Sequence, residues 1–242
     1  MDRGFYIVAS GMLTEQVRQD QLANDLANAS TPGYKPDQST QASFGDLLLQ
    51  NSASGQDIGS LDLGVDIART SPNLAEGAID QTGEPLDVAI QGPGFFTVQT
   101  NDGTRYTRDG QFAVNAKGEL TDSIGDPVLD AQGKTISIAG HTTDLKIGPD
   151  GAITAGGKTL GTIGLVSLTN PAKQGDNLFT GTPGKAPAGT TLEQGAIEGS
   201  GTNPASVMVD LITSMRSYES MQKVVNSMDE TLQQGIQSGG AL

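Results

Sequence analysis

The apolar spacing at the two ends of this chain limits what it can fold into. Toward the C-terminus, Val207, Leu211, Ser214, Tyr218, Met221, Val225, Met228 and Leu232 recur at alternating intervals of four and three, a heptad seam with Ser214 as its only polar member. Toward the N-terminus, Phe5, Val8 and Met12, then Leu22, Leu26 and Ala29, keep the same rhythm, broken at Glu15 and Gln19. A heptad face cannot be satisfied by one helix alone. The expectation is therefore a discontinuous, coiled-coil-like helical domain, its two helices pairing with each other and with copies of the chain. Such a chain is a building block rather than a catalyst.

The helix ends are marked locally. Asn28-Ala29-Ser30-Thr31-Pro32-Gly33 is a stop signal, because Pro32 holds Thr31 extended and Gly33 can take positive φ. Asn203 is a candidate N-cap, with Pro204 at the first helical position. The second helix is expected to run to about Gln234 and to end at Gly235. Between the helices the periodicity changes to two. Leu86, Val88 and Ile90 alternate with Asp87 and Ala89, Gly92-Pro93-Gly94 turns the chain, and Phe95, Phe96 and Val98 open another strand. Asp102-Gly103, Asp109-Gly110 and Asp150-Gly151 are turn dipeptides between further short apolar runs. These features predict an α+β chain whose antiparallel β-rich domain, barrel-like or sandwich-like, is inserted between the helices. Residues 1–35 and 203–242 are assigned to the helical assembly domain, 36–75 to an extended linker, and 76–202 to the β-rich insertion. Within the linker, Phe44, Leu47, Leu48 and Leu49 are expected to form a short helix. The stretch Gly181–Gly189, rich in Gly and Pro, is expected to be irregular.

Composition removes several functions. The net charge of −14 repels nucleic acid and anionic membrane, so neither is expected as a partner. There is no cysteine, which excludes disulfides and thiolate metal sites. With one histidine, His141, read as an exposed turn residue, neither a metal centre nor a cofactor is expected. No apolar run is long enough to span a bilayer, and Phe5–Ala9 is too short for a secretory core, so leaving the cytoplasm would need another export route. Gly181–Lys185 lacks the Ser or Thr of a phosphate loop, because Ala186 stands there. Glu76, Asp80 and Glu84 are the carboxylates that a cell-wall hydrolase reading would use, but they lie in a polar stretch with nothing to perturb them. A carbohydrate-binding β-module would lack the aromatic platforms such sites use, since the chain has no Trp.

Four segments resemble one family. Asn24-Asp25-Leu26-Ala27-Asn28-Ala29-Ser30-Thr31-Pro32-Gly33-Tyr34-Lys35 is similar to the N-terminal signature of the bacterial flagellar rod and hook proteins. Leu86–Phe96, Tyr106–Phe112 with Gly118-Glu119-Leu120, and Leu211–Glu219 resemble that family's β-domain entry, adjoining hairpin and C-terminal helix, in the family's order. Asp25, Met215 and Ser217 depart from the usual Asn, Gln and Ala. The resemblance implies a structural axial component of the flagellar basal-body rod. It implies export by the flagellar type III apparatus, helical assembly with other rod and hook proteins and with copies of itself, and torque transmission without an active site. The short linker and the opening Met1-Asp2-Arg3 resemble the proximal rod protein, whereas Gly11-Met12-Leu13 resembles the distal one. The assembly interface is expected to use Leu22, Asn24, Leu26, Asn28, Tyr34, Leu211, Tyr218, Met221, Val225 and Leu232.

Overall fold

The computed structural model describes residues 2–43, 47–50, 57–61, 64–138 and 145–239. Phe44 and His141 lie outside these residues. The chain is α+β, with a helix at each end and antiparallel strands between them. It divides into two units, one made of Met1–Ala27, Asp37–Ser71 and Pro204–Leu242, the other of Asn28–Pro36 and Pro72–Asn203.

The first unit holds helix α1, Asp2–Ala27, and helix α2, Pro204–Gly239. At about 1.5 Å per residue they span roughly 39 and 54 Å. Helix α2 starts at Pro204, where proline loses no helical hydrogen bond. It continues past Gly235, contrary to the expected stop. Gly235 is an exposed interior position with open space around it, and a glycine there weakens a helix by only about 1 kcal/mol. The stretch 36–75 is also more regular than an extended linker. Asp37–Ser43 pairs with Val65–Pro72, and Leu47–Gln50 pairs antiparallel with Asp57–Leu61. The leucine run is therefore a strand and not a short helix, since so short an apolar run fits either period and its backbone groups are satisfied by pairing. The Val65 strand is fastened to α1, because Val65 N donates to Ser10 Oγ at 3.3 Å and Thr14 Oγ1 donates to Val65 O at 3.2 Å.

The second unit is built on a closed barrel of strands Leu165–Lys173, Leu178–Lys185, Gly103–Thr107 and Phe95–Thr100. Period-two alternation sends Phe96 and Val98 into a large core with Ile90, Phe112, Leu120 and Ile153. Phe95 faces a smaller core with Tyr106 and Phe179. Both faces of this strand are thus covered, and Asp87 and Ala89, which alternate with Leu86, Val88 and Ile90, are buried beside Val88. Thr100 pairs with Gly103, so Asn101 and Asp102 form the hairpin tip, and Gly103 takes φ of 109°. Strand Leu178–Lys185 runs through Gly181 and Pro183, where an irregular loop was expected. Among the described residues this strand pairs on one side only beyond Phe179, and such an edge tolerates a proline.

Asp109 and Gly110 are not an exposed turn. Asp109 is buried; its Oδ1 accepts from Gln111 N at 3.0 Å and its Oδ2 from Ser123 Oγ at 2.8 Å. A methyl group on Gly110 would lie 1.8 Å from the Val88 carbonyl oxygen, whereas one on Gly125 would meet nothing. Gly110→Ala should destabilise the β unit by more than about 3 kcal/mol. Gly125→Ala, strained only by its φ of 102°, should cost roughly 1–2 kcal/mol. Equal denaturant midpoints for the two variants would contradict this packing. Burial, with Asp122 and Asp87 nearby, raises the Asp109 carboxyl above the ordinary aspartate value. The folded chain therefore holds this proton more tightly than the unfolded chain. That contribution is complete below the ordinary value and is lost as pH rises through the raised one. Relative to wild type, Asp109→Asn should gain stability as pH rises from about 4, and a difference independent of pH would refute the assignment.

Candidate assembly interface

Helix α2 shields one face. Val207, Leu211, Ser214, Tyr218, Met221, Val225, Met228 and Leu232 are buried or half-buried, and between 204 and 237 the only other shielded side chain is Ser217. The partner is α1, antiparallel. A methyl on Gly4 would lie 3.1 Å from Met228 Cε, and one on Gly11 would lie 3.0 Å from Met221 Sδ. Glycine at these two positions lets the methionines seat against the α1 backbone. Glu15 does not break the packing, because Ser214 Oγ donates to its Oε2 at 2.5 Å. The one polar residue of the α2 seam thus meets the first polar residue of the α1 seam. Gln19 is half-buried as well, with its amide nitrogen unpaired among the described residues.

The expected interface residues fall into groups. Leu22 and Leu26 are half-buried on α1, and Leu211, Tyr218, Met221, Val225 and Leu232 are half-buried on the shielded face of α2. Asn24 is exposed on α1. Asn28 follows α1 and accepts at Oδ1 from Thr31 Oγ1 at 3.2 Å. Tyr34 is turned into the β unit, 5 % exposed, with Lys173 Nζ 4.4 Å from its ring centre. The spacing also missed apolar side chains on the outside of the helices. Met208, Ile212 and Met215 form a second stripe on α2, about half exposed, and Leu13 and Val17 of α1 are 64 % and 51 % exposed. A 3.6-residue period applied to α2 for a second phase would have found that stripe. An open groove of about 650 Å³ also lies along the pair, between Gly4 and Phe5 of α1 and Val224, Met228 and Leu232 of α2.

In the β unit, three of the four segments that carry the resemblance meet at a buried ionic centre, which Glu198, outside all four, completes. Lys35 Nζ donates to Glu198 Oε1 at 2.5 Å and to Ala75 O at 2.6 Å. Arg108 NH1 donates to Glu198 Oε2 at 3.0 Å, NH2 donates to Gly92 O at 2.9 Å, and the guanidinium lies 5.5 Å from the Phe95 ring centre. Lys35 is 0 % exposed, Arg108 4 % and Glu198 1 %. Burial pushes the Lys35 ammonium below the ordinary lysine value, against the opposing pull of Glu198. Two buried cations thus share one carboxylate. The sequence offered only a faint signal for this centre: a lysine wedged between Tyr34 and Pro36, and an arginine just before a turn dipeptide. Glu76, Asp80 and Glu84, the carboxylates of the hydrolase reading, are exposed, and Glu76 accepts from Gly92 N at 2.9 Å.

Three family matches cover the parts just described. Residues 5–35 match the flagella basal body rod protein family, 89–155 the flagellar hook protein FlgE/F/G D1 domain, and 193–238 the flagellar basal body rod FlgEFG protein C-terminal family. The chain is 35% identical over 251 residues to flagellar basal-body rod protein FlgF of Caulobacter vibrioides, covering 100% of both. It is 33% identical over 262 residues to flagellar basal-body rod protein FlgG of Bacillus subtilis, covering 97% of this chain and 98% of the relative. Against flagellar basal-body rod protein FlgF of Mesorhizobium japonicum it is 32% identical over 247 residues, covering 96% and 97%. Matched from one helix through the barrel to the other, the chain belongs to the family of flagellar basal-body rod proteins.

Proposed function

We infer that this protein is a structural subunit of the flagellar basal-body rod and resides in the basal body. It is not an enzyme. The observation that supports this reading most directly is the second apolar stripe of α2. Met208, Ile212 and Met215 are left half exposed after α1 has covered the seam, and Leu13 and Val17 leave α1 in the same condition. Contiguous exposed apolar surface of this kind marks a place where other proteins bind. The two stripes differ in sequence, so copies joined stripe to stripe would make a heterologous contact, and such contacts propagate helically when they do not close into a ring.

The partners are neighbouring rod and hook proteins and further copies of this chain, and delivery is through the flagellar type III export apparatus. Leu22, Leu26, Leu211, Tyr218, Met221, Val225 and Leu232 hold the helix pair, while the outer stripes and Asn24 face the neighbours. Burial of each large seam residue contributes about 1.5–3 kcal/mol. Many such contacts in parallel, rather than one site, transmit torque.

Ile212→Asp with Met215→Asp should leave the helical content and melting of the purified chain near wild type while abolishing rods in electron micrographs of basal bodies. Leu211→Asp with Val225→Asp should lose both helix pairing and rods. Normal rods in cells carrying the Ile212→Asp, Met215→Asp chain would refute the outer-stripe interface.

A further inference from the structure

The chain passes between its two units four times, after Ala27, Pro36, Ser71 and Asn203. Inside the β unit, the passages converge on one residue. The main-chain oxygen of Glu198 accepts from Gly33 N at 2.7 Å, on the stretch that follows α1. Its Oε1 accepts from Lys35 Nζ at 2.5 Å, next to the departure at Pro36. The same oxygen accepts from Gly77 N at 2.7 Å, on the stretch that re-enters at Pro72. Glu198 itself lies on the strand that leads toward Asn203, and Oε2 ties that strand to Arg108 at the end of barrel strand Gly103–Thr107. Each of the three family-matched segments supplies one charge of this centre: Lys35, Arg108 and Glu198.

The surrounding backbone is drawn equally tight. Gly201 N donates to Tyr34 O at 2.8 Å, Asn73 N to Pro36 O at 2.8 Å, and Gly199 N to Ala78 O at 2.7 Å. A methyl on Gly77 would lie 2.4 Å from Gly199 O, and one on Gly33, at φ of 66°, would lie 2.4 Å from the Arg108 carbonyl carbon. The stretches approach so closely that side chains are excluded at the crossings, and direction there is set by backbone bonds and the buried carboxylate.

We infer that Glu198 is a positioning residue: within the β unit, its carboxylate gathers the chain's four passages into one joint and fixes the backbone there. A general contributor to core stability would act differently. The barrel core around Phe96 and Val98 is assembled from apolar side chains, and the smaller core meets the joint where the Arg108 guanidinium lies over Phe95. Loss of its charge strands two buried cations at the joint. The joint should therefore open as a local unit while the barrel stays closed.

Amide hydrogen exchange of the full chain tests this, comparing wild type, Glu198→Gln and Lys35→Met. In Glu198→Gln, amides in 30–36, 73–78 and 199–203 should exchange about a hundredfold faster, and those of strands Phe95–Thr100 and Leu178–Lys185 should not change. Lys35→Met, which keeps the Glu198–Arg108 pair, should accelerate only 30–36 and 73–78. If Glu198→Gln fails to fold, the graded result from Lys35→Met decides alone. Acceleration spread evenly over the barrel, or none at the three stretches, would overturn the assignment.

Discussion

A buried carboxylate shared by two cations is the interaction on which the joint of the β unit rests. An isolated charge in a protein interior is prohibitive, and even a matched pair rarely gains net stability. Glu198 is tolerable because Lys35, Arg108 and the Gly77 amide satisfy it from three directions. Such a centre is specific rather than adhesive. Hydrophobic contacts can slide, but an arrangement of one carboxylate, two cations and three backbone partners has a single geometry. It lies within the barrel unit, close along the chain to the points where the chain enters and leaves that unit.

The helix pair uses the opposite physics. Its seam is mostly aliphatic and thioether, with Met221 and Met228 seated over Gly11 and Gly4. The Glu15–Ser214 bond is the polar pair that the structure shows in it. Glycine at two positions of α1 weakens that helix intrinsically, by about 1 kcal/mol each, and close seating of the methionines offsets the loss. The outer stripe of α2 stays about half exposed. A protein built to remain alone would carry polar residues there, whereas a rod subunit needs apolar surface that its neighbours can cover.

What could be read in advance was local. The inner face of α2 follows the heptad spacing residue by residue, because helical side-chain direction depends only on position along the chain. The end of α1 follows from Thr31-Pro32-Gly33, and Gly33 does take positive φ. The hairpin expected at Asp102-Gly103 also forms, with its tip at Asn101-Asp102 and Gly103 opening the next strand. Readings failed where a segment's neighbours decided. Leu47–Gln50 and Leu178–Lys185 are strands because partners were available to pair with them, and neither leucine content nor the Gly-Pro pattern could show that. Tyr34 looked like a residue for partners, yet the barrel unit buries it beneath Lys173.

Sequence alone determined that this chain has helices at its ends, a β-rich body between them and no cysteine, because periodicity, turn residues and composition act over a few positions at a time. It also carried the signatures that identify the family. Only the tertiary structure decided that Lys35, Arg108 and Glu198, as much as 163 positions apart, are one ionic centre. It alone decided which apolar helix faces are covered within the chain and which stay exposed. Both are matters of what each side chain meets after folding, and nothing in the spacing of residues along a chain encodes who the distant neighbour will be.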